Sequence, residues 1–273
     1  MVCAYFVLIY AIISQPLLLR LLGGALDEEY QRMRPLRRRL FESTALATDI
    51  LFFETKHLTS YFKKHGAKRA EWYPNCRGIA DIQTVLNNTR NQCKRFVFLG
   101  RVTRDKGIEV ILQAIPYLSN EAQIDIFGPL DGHYTAEYLS YHGKEVVRYR
   151  GVLSPEEVYQ RLFEYDALIL PTYYEGEGYP GVILEAYSHG LPVIATRWRS
   201  IPETVDNDTG ILIPTHSPEA LAEAINQLCR NPALYQSLCQ GVLRKRIEFS
   251  EEAWADRFVR FCMEVAGRCI THQ

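Results

Sequence analysis

LILPTYYEGEGYPGVILEAYSHGLPVIATRWR, residues Leu168–Arg199, is the stretch whose reading decides the fold. It reads as a buried strand over Ala167–Leu170, a glycine-rich loop, a short helix and a second buried strand over Pro192–Ala195. Pro180 suits the first turn of that helix and Gly190 its far end. The helix N-terminus then stands at the carboxyl end of a strand, where α/β sheets hold ligands. Unpaired N–H groups around Tyr179–Val182 would face an anion such as a phosphate. Two carboxylates, Glu177 and Glu185, stand eight residues apart across the same junction. They would repel a phosphate, so their use lies with hydroxyl groups, whose hydrogen bonds a carboxylate accepts through both oxygens. A phosphate beside a polyol describes a nucleotide sugar.

Outward from this stretch, strand-like runs alternate with helical ones, the pattern of a parallel α/β sheet. The candidate strands are Leu17–Leu22, Ile50–Glu54, Glu71–Tyr73, Phe96–Gly100, Ile124–Gly128, Val146–Tyr149, Ala167–Leu170, Pro192–Ala195 and Gly210–Ile213. Helix starts lie between them: the capping box Ser154-Pro-Glu-Glu157, Ser217-Pro-Glu219 and Asn231-Pro232. Ser250-Glu-Glu252 opens a last amphipathic helix that carries Trp254, Phe258 and Phe261.

The 273 residues can bury a sizeable core, and a hydrophobic content of 47% with 23% charged residues is ordinary for a globular protein. A formal net charge of −1 argues against nucleic acid as a partner. The 7 cysteines are odd in number and contain no C-x-x-C pair, so neither a zinc site nor a disulfide framework is expected, and a reducing cytoplasm is the expected setting. The apolar run Val2–Ile13 falls short of the roughly 20 residues a spanning helix needs. It has no basic region before it and is read as a buried helix or strand.

Glu177-GYPGVIL-Glu185 followed by AYSHGLPVIAT resembles the E-x7-E motif of retaining glycosyltransferases of family 4, which have the two-domain GT-B fold. FVFLGRVTRDKGIEVILQAI (Phe96–Ile115) resembles the first strand and helix of that family's C-terminal domain, and SIPETVDNDTGILIP (Ser200–Pro214) its later segment. The resemblance implies two Rossmann-like parallel-sheet domains and transfer of a sugar from a nucleotide-diphosphate donor to a saccharide or lipid-linked acceptor, with retention. Polysaccharide or lipopolysaccharide assembly is the implied setting. It also implies no cofactor and no required metal; His133, His142 and His189 show no metal spacing.

Residues 1–77 are expected to form an acceptor-side domain, 78–94 a linker, 95–250 the nucleotide-sugar-binding domain, and 251–273 a helix returning to the first domain. PLLLRLLGGALDEEY (Pro16–Tyr30) resembles the middle of the family's N-terminal domain, so that domain is expected to be incomplete. A binding half that transfers no sugar is the alternative reading.

Arg101 and Lys106 follow the strand Phe96–Gly100, and both reach a phosphate at the carboxyl end of the sheet. Their role would be to neutralise the leaving diphosphate. By resemblance Glu177 binds hydroxyls of the donor sugar and Glu185 those of the ribose. Gly178, Tyr179, Pro180, Gly181 and Val182 supply the backbone around the phosphates, and Tyr149–Leu153 read the base. Arg20, Gly23 and Gly24 would line the cleft between domains. Glu203 would approach the phosphate or sugar edge, or is equally a helix-start acid. Gly176-Glu-Gly178-Tyr-Pro-Gly181 also satisfies the dinucleotide fingerprint G-x-G-x-x-G, but Glu177 beside a pyrophosphate, Pro180 in the turn and the late position in the domain count against it. A basic run in the N-terminal part (Arg32, Arg34, Arg37, Arg38, Arg39, then Lys63, Lys64, Lys68, Arg69) suits peripheral contact with an anionic membrane, or equally a solvated helix face.

Overall fold

The computed structural model describes residues 16–270, so the run Val2–Ile13 lies outside the described residues. The chain forms two compact units. The first contains the described part of residues 1–76, together with Glu175–Tyr179 and the C-terminal segment from Glu251; the second contains Arg77–Tyr174 and Pro180–Ser250.

The first unit holds β1 (Leu18–Leu21), α1 (Leu26–Arg32), α2 (Pro35–Thr44), β2 (Ile50–Phe53), α3 (Lys56–Lys64) and β3 (Ala70–Trp72). Its three strands are parallel in the order β1-β2-β3. All four residues of β2, Ile-Leu-Phe-Phe, are buried, because the strand is central and both faces are covered. Side chains alternate across it. Leu51 and Phe53 join Tyr30, Leu58 and Phe62 on one face, while Ile50 and Phe52 meet Val265 and Phe261 on the other. The final helix, Glu251–Ile270, thus packs its stripe Trp254, Phe258, Phe261 and Val265 against this sheet, with Trp254 edge-on to Trp72 at 5.2 Å.

The second unit opens with α4 (Ile82–Asn88), followed by β4 (Arg95–Leu99), α5 (Ile108–Ala114), β5 (Gln123–Phe127), α6 (Ala136–Gly143), β6 (Val147–Tyr149), α7 (Pro155–Arg161) and β7 (Ala167–Leu170). Then come α8 (Gly181–Ser188), β8 (Val193–Thr196), α9 (Ile201–Thr204), β9 (Gly210–Ile213), α10 (Pro218–Arg230) and α11 (Pro232–Lys245). The six strands are parallel in the order β6-β5-β4-β7-β8-β9. Strand order reverses between β4 and β7, which opens a crevice at their carboxyl ends. Right-handed crossovers running from β4 to β5 and from β7 to β8 proceed in opposite directions, so α5 and α8 cover opposite faces. Accordingly α5 packs with α10 and α8 with α11.

Segment 78–94, read from sequence as a linker, carries α4 and belongs to the second unit. Its polarity hid the helix because α4 buries one residue, Val85; Asp81 caps it by accepting from Thr84 N at 2.9 Å. The five residues Glu175–Tyr179, inside the stretch read as the nucleotide-binding domain, pack with the first unit. The observed strands otherwise fall within a residue or two of those expected, which is the usual uncertainty of element ends.

Candidate functional site

Leu99 ends β4 and the chain turns at Gly100, whose φ is +148°, to bring Arg101 out at the sheet's carboxyl edge. The neighbouring turn after β5 approaches so closely that a Cβ on Gly128, at φ +142°, would stand 1.8 Å from the Gly100 carbonyl oxygen. Gly107 at φ +87° starts α5 against Pro171, the first residue after β7. These glycines let three loops meet at the switch point.

Tyr174 stands in this crevice. The Arg101 guanidinium lies 5.3 Å from its ring centroid and the Lys106 ammonium 4.9 Å. One ring therefore gathers both cations beside the two central strands. Its backbone is held too: Trp198 Nε1 donates to the Tyr174 carbonyl at 2.8 Å, and Tyr174 N donates to Thr172 Oγ1 at 3.2 Å.

Helix α8 begins at Pro180 with no side-chain cap and no acid in its first turn. The N–H groups of Gly181 and Val182 are therefore not claimed by a cap, and the helix dipole favours an anion there. Glu185 lies on the half-buried side of α8 and its Oε1 accepts from Arg77 Nε at 3.1 Å. Arg77 also lies over the start of α8, where a Cβ on Gly181 would come within 2.3 Å of Nη2. At the other end His189 is buried; its Nδ1 lies 2.8 Å from the Glu185 carbonyl and its Nε2 2.8 Å from that of Tyr159. Burial holds this imidazole below its ordinary value, because the cation loses its water.

The loop after β6, expected to read a base, is pinned to the loop after β5. Gly128 N donates to the Gly151 carbonyl at 2.8 Å and Tyr149 Oη to the Gly128 carbonyl at 2.9 Å.

The second unit thus holds Arg101, Lys106, Pro180, Gly181, Val182 and Glu185, while Glu177, Gly178 and Tyr179 pack within the first. There Glu177 is buried, and Gly24 lies against its carbonyl so closely that no side chain fits. The buried Glu54 accepts from Gly23 N at 2.9 Å and abuts Gly178. Asn75 Nδ2 donates to the Tyr179 carbonyl at 2.8 Å, and Arg20 donates to Asn75 Oδ1 at 2.9 Å. Sequence reasoning missed Glu54, Asn75, Arg77 and Tyr174. Of these only Tyr174, the second of two aromatics in the loop after the strand at the sheet's switch point, carried a readable signal.

In the basic run, Arg38 donates to the carbonyls of Tyr30 and Gln31, Arg32 pairs with Glu28, Lys68 with Asp49, and Arg69 with Glu71 and Glu264. Arg34, Arg37, Arg39, Lys63 and Lys64 are exposed. Among the described residues no helix is long and apolar enough to cross a membrane, and no group of three or more His, Cys, Asp or Glu is placed to hold a metal.

The chain belongs to the family described as glycosyl transferases group 1, whose model matches residues 93–231. It is 28% identical over 176 residues to a D-inositol 3-phosphate glycosyltransferase of Corynebacterium diphtheriae, covering 60% of this chain and 41% of that one. It is 26% identical over 232 residues to the capsular polysaccharide biosynthesis glycosyltransferase CapM of Staphylococcus aureus, covering 77% and 60%. The chain spans between 32% and 60% of the length of the curated relatives it matches. The structure is similar to Anabaena Alr3699/HepE in complex with UDP, with a TM-score of 0.79 at 15% identity over 96% of this chain and 76% of that one. It is also similar to sucrose-phosphate synthase from Thermosynechococcus elongatus, with a TM-score of 0.71 at 21% identity over 92% and 68%. The fold is α/β with parallel sheets, as in these GT-B glycosyltransferases.

Proposed function

We propose that this member of the glycosyl transferases group 1 family binds a nucleotide-diphosphate sugar in the crevice at the carboxyl ends of β4 and β7 and transfers the sugar to an acceptor hydroxyl with retention, as in family 4. The observation that carries this reading is the pair of cations, Arg101 and Lys106, gathered on the Tyr174 ring at the topological switch point. Bond cleavage at the anomeric carbon leaves growing negative charge on the diphosphate. Two fixed cations and the uncapped start of α8 stabilise that charge more in the transition state than before it. The reading takes the needed positive charge from these groups and requires no metal.

Glu185, oriented by Arg77, accepts hydrogen bonds from the ribose hydroxyls. Glu177 is assigned to the hydroxyls of the transferred sugar, with Gly178 and Tyr179 shaping the loop it stands on. The loop Tyr149–Leu153 takes the base mainly through its backbone. The acceptor is a saccharide or a lipid-linked saccharide in cell-surface polysaccharide or lipopolysaccharide assembly, in line with the names of curated relatives such as CapM. The exposed cations of the first unit suit peripheral contact with the inner face of a membrane, the protein itself working in the cytoplasm.

A second reading is donor binding without transfer. Thermal denaturation with UDP, GDP, ADP and their sugars tests the shared premise. Saturation at 100 times the dissociation constant adds about 2.7 kcal/mol of stability. A shift with one diphosphate class, lost in Arg101→Ala and Glu185→Ala, is expected; no shift with any of them overturns both readings. A product assay with the nucleotide sugar so identified then separates transfer from binding.

A further inference from the structure

A second pocket, of about 470 Å³, opens on the α5 face of the same sheet edge. This volume lies within the ~300–1,000 Å³ typical of small-molecule sites. It is built by loops after β4, β5, β7 and β9 together with α5 and the start of α6. It faces away from α8 and its uncapped start, because α5 and α8 cover opposite faces of the sheet.

Glu109 on α5 anchors the pocket. Its Oε1 accepts from Tyr134 Oη at 3.1 Å and from Tyr138 Oη at 3.5 Å. Both phenols use one oxygen, which leaves Oε2 to accept from a ligand. Tyr134 is 4% exposed, so the carboxylate is held by a group that is itself fixed in the core. Around it stand donors and mixed groups: Arg104, Gln113, His133 and the hydroxyl of Tyr173. His216, held at φ +54°, lays its imidazole 3.9 Å from the Tyr173 ring. A non-glycine residue in this region stores strain, which concentrates at functional sites.

The donor set selects the ligand. An anion would lie against Glu109. An apolar ligand would strip water from Glu109 and Arg104 without replacing it, which is costly. A flat base needs open ring faces, but Tyr173 is covered by His216, Tyr138 by His142 at 4.3 Å, and Tyr134 is buried. What the pocket offers is a mixture of hydrogen-bond acceptors and donors among aromatic side chains. That matches a ligand whose hydroxyls both donate and accept around an uncharged ring.

We propose that this pocket binds a neutral saccharide, through Glu109, Gln113 and Arg104, at a site separate from the nucleotide crevice. Glu109 and Gln113 lie four residues apart on α5, on one face, and so reach neighbouring hydroxyls of one sugar ring.

Saturation-transfer NMR on the whole chain with glucose, galactose, mannose and N-acetylglucosamine tests this. At least one sugar is expected to bind, about tenfold more weakly in Glu109→Gln and in Gln113→Ala, the latter an exposed position that leaves the fold alone. Binding is expected to persist in Glu185→Ala and under saturating UDP. The proposal is overturned if none of the four binds, if UDP displaces the sugar, if both variants bind as the parent does, or if inorganic phosphate competes with it. Sugar binding in a chain that shifts with no nucleotide would sink the donor reading and leave this one standing.

Discussion

Tyr173 and Tyr174 are neighbours in the chain, yet each serves a different side of the sheet's carboxyl edge. Tyr174 carries Arg101 and Lys106, two cations, and stands at the crevice between β4 and β7. Tyr173 looks onto a pocket where Arg104 is offset by Glu109 and the other polar groups are an amide, two further phenols and two imidazoles. The two lie in the loop after β7. A single-residue step divides a place suited to a diphosphate from one suited to an uncharged polyol. The lesson is that the charge of a ligand site is set by what the neighbouring loops deliver, here residues 101 and 106 on one side and 109 on the other.

Removing the frame both sides share should have the largest effect. Gly128→Ala places a Cβ against the Gly100 carbonyl at a φ only glycine holds easily. The backbone conformation alone costs about 1–3 kcal/mol and the clash adds to it. A strongly lowered melting temperature is expected, with nucleotide and sugar binding lost together; retention of either would show that the loops are independent.

Next comes the double variant Arg101→Ala with Lys106→Ala. Charge-assisted contacts to an anion are worth about 1.5–3 kcal/mol each, so calorimetry should report nucleotide affinity falling at least a hundredfold. Sugar binding should stay the same; a matching loss there would break the division between sides.

Tyr174 itself sharpens the point. Its cation–π contacts are each worth roughly 0.5–2 kcal/mol. Tyr174→Ala should weaken nucleotide binding by about five- to thirtyfold, while Tyr174→Phe keeps the ring and the affinity. Equal losses in both variants would mean that the phenol, not the ring face, does the work.

The smallest expected effect concerns the histidines. His189, at the far end of the helix that carries Glu185, is buried with its imidazole pushed below the ordinary 6.5, whereas His133 and His216 beside Tyr173 are exposed. A depressed folded-state value means that the unfolded chain takes up the proton first, so stability is lost as pH falls below about 6.5 toward the folded-state value. Urea midpoints at pH 7.5 and 5.5 should differ, and the gap should narrow in His189→Gln. An unchanged gap would assign the pH dependence to other groups.

Much of the fold was legible because its signals are local. Four buried residues in a row at Ala167–Leu170, a capping box at Ser154–Glu157 and a proline at the head of α8 each act within a few residues. α4 escaped because a helix that buries only Val85 has no apolar period. The site was half legible. Arg101, Lys106 and Glu185 follow from strand ends and a helix start, but the partner of Glu185 is Arg77, 108 positions away. Nothing near Arg77 marks it, since its neighbours Cys76 and Gly78 fit any loop.

By itself, then, the sequence determined the alternating α/β pattern, the parallel sheets and the two loops that hold cations and carboxylates, because strand and helix periods and caps are written in adjacent residues. Only the tertiary structure decided which strands neighbour one another, where their order reverses, and hence that Tyr173 shares a pocket with Glu109 while Tyr174 meets Arg101 and Lys106. It also decided that Glu54 and Asn75 hold the loop bearing Glu177. Those outcomes rest on contacts between segments far apart in the chain, which hydrophobic packing and crossover handedness select and no local pattern records.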